Sequence, residues 1–210
     1  MPETAGREVI LVHGLWYGPW TLRKLDRTLK KQGFLTRHFR YAATAASLEC
    51  HAAGLGAFAM ESGAVEQHFL GHSLGGLVTL RMLADSHDIA PGRVLLLGVP
   101  LRGSITARKI RGIPGSRRLL GQVQSVLEHG YAVLPRDRDS AMIAGSRGPG
   151  LGLFTGGLGQ PGDGTVALRE TEAEELKSRL VLPVSHSGML FSNEVARQAV
   201  CFLETGSFCG

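Results

Sequence analysis

The order of apolar runs and helical periodicities along the 210 residues predicts an α/β fold: a three-layer sandwich built on a mostly parallel sheet of about six strands, with helices on both faces. Three observations carry that expectation. Short apolar runs alternate with segments of helical spacing. The runs Glu8 to Val12 and Arg93 to Leu97 are nearly continuous in hydrophobicity, as strands covered on both faces must be. The stretch Gly71-His72-Ser73-Leu74-Gly75 falls just after a strand-like run, at the edge where parallel sheets bind ligands.

Taken in order, Glu8 to Val12 reads as the first strand and runs into His13-Gly14-Leu15-Trp16. Pro19 suits the first turn of a helix, and Leu22, Leu25 and Leu29 repeat at helical spacing until Gly33. Phe34 to Tyr41 alternates as a second strand. Ser47 is placed to cap a helix with Leu48, Ala52, Leu55 and Ala59 on one face, closing near Gly63. A third strand leads to Ser73, and the helix that follows extends to about Ser86. Arg93 to Leu97 is a fourth strand, closed by Gly98-Val99-Pro100. Residues 101–136 break the rhythm as a short lid-like or connecting segment, with one expected helix from about Arg117 to His129. Ser140 to Gly145 reads as a fifth strand. Nine of the twenty residues from Gly145 to Gly164 are glycine, which predicts a flexible approach to Asp163. Leu180 to Val184 is the last strand, and Ser192 caps a final helix bearing Val195, Ala199, Phe202 and Leu203.

Composition bounds the function. A hydrophobic fraction of 43% suits one globular domain over residues 1–210, with no linker. The start, Met1 to Glu8, lacks the basic and apolar pattern of a secretory signal, and no run approaches the roughly 18 apolar residues of a membrane span, so a soluble cytoplasmic protein without stable membrane insertion is expected. Three cysteines, Cys50, Cys201 and Cys209, form no Cys-x-x-Cys pair and are expected as free thiols. The net charge of +5 is uneven: Leu101 to Leu120 holds six basic residues and no acidic one. Arginines without interleaved aromatics make a poor nucleic-acid surface, so no nucleic-acid partner is expected and the segment reads as a solvated, mobile loop, although its charge would also suit anionic lipid or an acidic partner.

The stretch around Ser73 carries the chemistry. A residue at the tip of a tight strand-to-helix turn is pushed into strained backbone angles, and the glycines two positions to either side remove side chains that would collide. In a chain with 29 glycines, a Gly-x-Ser-x-Gly match arises by chance in about one sequence in four, so the pattern needs partners. A serine hydroxyl becomes a strong nucleophile only when a base accepts its proton, and the base needs a group to orient it. Of His13, His38, His51, His68, His72, His87, His129 and His186, the last stands in the loop beyond the final strand, on the same edge as Ser73. His72 is expected to point away from the serine, and His13 to brace its own loop. Asp163 satisfies the Ser, Asp, His order, whereas Asp137 and Asp139 precede the fifth strand. The backbone N–H groups of Leu15 and Leu74 are placed to hold a developing oxyanion. Trp16, Tyr17 and Trp20 are candidates for the wall of a substrate pocket or, equally, for packing of the first helix.

With these residues in hand, the chain resembles the α/β-hydrolase superfamily, and within it small bacterial lipases and esterases. Val12-His13-Gly14 resembles their oxyanion loop, Gly71-His72-Ser73-Leu74-Gly75-Gly76 their nucleophile elbow, Gly98-Val99-Pro100 with Gly103-Ser104 a further segment of theirs, Asp163-Gly164-Thr165-Val166 their acid loop, and Ser185-His186 their histidine loop. The resemblance implies a minimal version of the fold that begins at the strand equivalent to the family's third, without the first antiparallel hairpin. It implies a catalytic triad of Ser73, Asp163 and His186, an oxyanion hole from Leu15 and Leu74, and substrate contacts from Trp16 and Tyr17. The expected activity is hydrolysis of small-molecule or lipid carboxylic esters through an acyl-enzyme. Acyl transfer, thioester or amide cleavage with the same triad is the alternative, ahead of a non-catalytic ligand-binding protein. No cofactor is expected and no metal, since histidines and carboxylates do not cluster at ligand spacing.

Overall fold

The computed structural model describes residues 6–85, 88–148, 150, 152 and 156–210. Met1 to Ala5, the expected helix end at Ser86, His87, and residues 149, 151 and 153–155 of the glycine-rich approach lie outside that set. The strands are β1 (Arg7–Val12), β2 (Leu35–Phe39), β3 (Glu66–His72), β4 (Val94–Leu97), β5 (Ser140–Gly145) and β6 (Ser178–Leu182). The helices are α1 (Arg23–Lys31), α2 (Leu48–Met60), α3 (Leu74–Asp85), α4 (Ile105–Arg111), α5 (Ser116–Leu120), α6 (Gln124–His129) and α7 (Asn193–Thr205).

The six strands form one sheet in the order β2-β1-β3-β4-β5-β6, and every adjacent pair is parallel. Alternate residues of each central strand feed opposite cores. Ile10, Val12, Val94, Leu96, Met142 and Ala144 pack toward α2 and α3, while Val9, Leu11, Leu95, Leu97, Ala141 and Ile143 pack toward α1 and α7. That two-sided burial is why these strands read as continuous apolar runs: at about 1.5–3 kcal/mol per buried aliphatic side chain, a polar residue at either parity would be costly. The edge strands bury less, with Leu35 and Val181 exposed.

The chain passes from β1 outward to β2, then returns to lay β3 on the other side of β1, with Val12 beside Gly71. The segments leaving β1 and β3 therefore diverge, one to α1 on one face and the other to α3 on the opposite face. A crevice opens between them at the carboxyl edge, which is the switch point where such sheets bind ligands.

Two expectations fail in the 101–136 segment. It contains α4, whose start is capped by Ser104 accepting a hydrogen bond from Ala107 N–H. The expected single helix is divided into α5 and α6 at Gly121, where φ is +58° and a Cβ would lie 2.1 Å from the carbonyl oxygen of Thr44. Nor is the segment a solvated loop. Arg102 N–H donates to the Glu170 carbonyl, Ile105 N–H to Glu170 Oε1 and the Thr106 hydroxyl to the Thr165 carbonyl.

The cysteine expectation is also corrected. Cys201 and Cys209 are bonded, their Cα atoms 5.8 Å apart, and Cys50 is the exposed free thiol. The left-handed Gly206 (φ +79°) ends α7 and turns the tail back along it, where Gln198 exchanges two hydrogen bonds with the backbone of Cys209. Residues eight apart thus become neighbours through a reversal that motif spacing does not reveal. No described helix is long and apolar enough to cross a membrane.

Candidate active site

Ser73 stands between β3 and α3 with φ +53°, one of two described non-glycine residues with positive φ. That conformation costs an L-residue about 1–2 kcal/mol, so the surroundings must impose it. They do so by close approach. A Cβ on Gly71 would lie 2.6 Å from Gly76 Cα, and one on Gly75 would lie 2.3 Å from the Val12 carbonyl oxygen. Ser73 N–H donates to Leu97 and its carbonyl accepts from Gly76 N–H.

The loop after β1 lies against this turn, since a Cβ on Gly14 would come within 3.0 Å of Ser73 Cβ. Leu15 and Leu74 therefore adjoin the serine from two sides. Leu74 opens α3, so its N–H has no intrahelical acceptor, and neither it nor Leu15 N–H has a partner among the described residues.

His186, beyond β6, and Asp163 meet at 2.7 Å between Nδ1 and Oδ2, both buried, and His186 N–H donates to the Asp163 carbonyl. Asp163 Oδ1 accepts from the N–H groups of Thr165 and Val166, so both carboxylate oxygens are satisfied. Gly98, with φ +55°, lets the chain after β4 run beneath the pair; a Cβ there would lie 3.1 Å from both Asp163 Oδ2 and His186 Nδ1. Asp137 and Asp139 are at the other end of β5, where Asp139 pairs with Lys177 at 2.6 Å and Asp137 is exposed.

Ser73 and His186 line one cavity of about 380 Å³. Its walls are largely apolar: Leu15, Pro100, Ala107, Ile110, Leu120 and Leu127 contribute, four of them from the helices of the 101–129 segment. Trp16 and Tyr17 also line it, whereas Trp20 is exposed and does not. Core packing of the first helix by the tryptophans is not what happens. Trp16 is 49% exposed and its Nε1–H donates to the Leu119 carbonyl at 2.9 Å. Tyr17 reaches the histidine loop, its hydroxyl 2.5 Å from Ser187 Oγ.

Three contributors escaped sequence reasoning. His72 is fully buried and packs against the His186 ring with centroids 4.7 Å apart; its Nε2 donates to the His186 carbonyl at 3.1 Å. Burial, reinforced by the neighbouring His186, holds its pKa well below the ordinary value, so it stays neutral. It is a support under the histidine loop, and its adjacency to Ser73 was the available signal. Glu170 is buried, and its carboxylate accepts from Ile105 N–H and Ala167 N–H, tying α4 to the acid loop; burial pushes its pKa up. Tyr41 donates to the His13 carbonyl and stacks on the His13 ring at 4.5 Å, so His13 does brace its loop. Among the described residues no three metal-type side chains converge.

No family model and no curated protein matches the chain. Solved structures do. The mature form of the lipase BlEst2 from Bacillus licheniformis superposes with TM-score 0.77 at 16% identity, covering 99% of this chain and 95% of that one; its propeptide form gives the same score and is covered over 52% of its length. The metagenomic carboxyl esterase MGS0156 gives 0.69 at 17% identity over 88% of this chain and 65% of that one. The esterase EaEST from Exiguobacterium antarcticum gives 0.66 at 14% identity over 96% and 93%. With its parallel sheet, its crevice at the switch point and these neighbours, the chain has the α/β-hydrolase fold in a minimal six-stranded form, similar in structure to bacterial lipases and esterases.

Proposed function

We propose that the protein is a serine hydrolase that cleaves carboxylic esters through an acyl-enzyme on Ser73. The observation that carries this reading is the buried 2.7 Å contact of His186 with Asp163 beside an apolar cavity that Ser73 also lines. In the proposed cycle His186 takes the Ser73 proton through Nε2 as Oγ attacks the acyl carbon, then returns it to the leaving alcohol. Asp163 holds Nδ1–H and favours the imidazolium. The N–H groups of Leu15 and Leu74 receive the oxyanion, each contributing on the order of 3 kcal/mol to the transition state. Water activated by the same histidine then releases the acid. Trp16 and Tyr17 contact substrate, and the apolar lining favours an aliphatic acyl group over a charged one.

The test is labelling by a fluorophosphonate probe together with turnover of p-nitrophenyl esters. Wild-type protein should label and release nitrophenol, and Ser73→Ala should do neither. A wild-type protein silent in both assays would reject the enzyme, and a fully active Ser73→Ala would reject the nucleophile. The Cys201–Cys209 bond bears on location, because such bonds persist in oxidising compartments and are reduced in the cytosol. The cytoplasmic reading therefore stands only for the reduced protein, which a thiol count on freshly isolated material decides.

A further inference from the structure

We propose that the outer surface of α4 and α5 is a docking site for anionic phospholipid membranes. The docking itself does not depend on the catalytic reading; delivery of an acyl chain to the cavity does.

From Leu101 to Leu120 there are six basic residues and no acidic one. The structure divides them. Arg108 turns toward the buried Glu170 and the Glu128 carbonyl, and Arg111 reaches the buried Glu128 carboxylate at 3.2 Å while remaining largely exposed. Among the described residues the exposed Lys109 meets only a backbone carbonyl, that of Gly157, and the exposed Arg118 side chain has no partner. The acidic groups bonded to α4, Glu128 and Glu170, are buried on its inner side. Outward charge is therefore positive and incompletely compensated.

Apolar side chains stand among these cations. Ile113 and Leu119 are 45% and 48% exposed, and Trp16, bonded through its indole N–H to the Leu119 carbonyl, is exposed to the same degree. They are continuous with the cavity: Ile113 N–H closes a turn on Ile110, and Leu120 follows Leu119, both Ile110 and Leu120 lining the space that reaches Ser73. An acidic protein would satisfy the charge and leave these side chains in water. An anionic bilayer satisfies both, taking Trp and aliphatic groups at the headgroup boundary and attracting each nearby Lys or Arg.

The experiment uses the Ser73→Ala protein, so that lipid is not consumed, with vesicle flotation on phosphatidylcholine alone and on phosphatidylcholine mixed with phosphatidylglycerol. Binding should need phosphatidylglycerol and fall at least about tenfold between roughly 0.05 and 0.5 M salt. Lys109→Glu with Arg118→Glu should lower it about tenfold or more. Ile113→Ser with Leu119→Ser should weaken it at both salt levels, and all four substitutions in otherwise wild-type protein should leave turnover of p-nitrophenyl acetate unchanged. Equal affinity for both vesicle types, no binding, or indifference to charge reversal would overturn the proposal. So would binding to soluble polyglutamate as tight as to vesicles and unaffected by the serine pair, which would mark an acidic-partner site. Loss of vesicle binding with esterase activity intact rejects this inference alone; loss of activity with binding intact rejects the catalytic reading alone.

Discussion

The two edges of the sheet make opposite use of their residues. The amino edge holds the larger depression, about 740 Å³, bordered by Arg93, Arg138, Asp139 and Lys177. Several of its charges are spent on one another: Lys177 on Asp139, Arg93 on Glu66 and Asp139. The carboxyl edge holds the smaller, mostly apolar cavity, and there the backbone is strained at Ser73 and a buried carboxylate is committed to a histidine. Volume is thus a poor guide to chemistry in this molecule. Strain and buried polar pairing, which are costly unless the fold enforces them, mark the edge worth testing.

The contrast breaks most decisively at the two aspartates. Asp163→Asn should lower kcat by about 10³ to 10⁴ with little change in thermal stability, because the amide can no longer favour a protonated His186. Asp139→Asn, in the larger depression, should leave kcat/KM within about twofold and cost under about 1 kcal/mol, as expected for an exposed ion pair. Comparable losses for the two would erase the distinction between the edges.

Next in size is Gly75→Ala. Its Cβ would meet the carbonyl oxygens of Val12 and His13 at 2.3 and 2.5 Å, backbone atoms that move only if β1 and its loop move. A loss of about 3 kcal/mol in denaturant unfolding is expected, with activity falling further than the unfolded fraction explains. Unchanged stability would show that the elbow tolerates a wider turn.

A third test lies in acid. Burial first, then Arg93, Arg7 and Arg138, lowers the pKa of His68 to about 4. Its folded pKa lies below the unfolded 6.5, so the unfolded chain binds more protons in that window and stability is lost as pH falls from about 6.5 to 4. The expected loss is about 2–3 kcal/mol. His68→Gln should flatten that part of the stability profile while leaving neutral-pH turnover intact; a slope no shallower than wild type assigns the acid sensitivity elsewhere, with the buried His72 the next residue to test.

Much of the carboxyl edge was legible because local chemistry governs it. The β1, β4 and β5 runs are apolar at both parities, Gly71 answers a collision within six residues, and Asp163 and His186 follow from chain order together with their places after the fifth and last strands. What could not be read depends on distant partners. The start of α4 is held by Glu170, sixty-five residues on, the division at Gly121 is dictated by Thr44, and the Cys201–Cys209 bond needs the reversal at Gly206. Tyr17 read equally well as a pocket wall or as packing until Ser187 was placed beside it.

The Trp16 to Leu119 hydrogen bond has an energetic consequence. Among the described residues it is the hydrogen bond that joins the β1 loop to α5 across the mouth of the cavity, and it is exposed to water. A bond of that kind contributes about 1 kcal/mol net, a ratio of roughly five to one between closed and parted arrangements. Both arrangements are then well populated as far as this contact is concerned, so it holds the β1 loop to α5 only weakly, and the indole of Trp16 can report its making and breaking by fluorescence once the other exposed tryptophan, Trp20, is replaced.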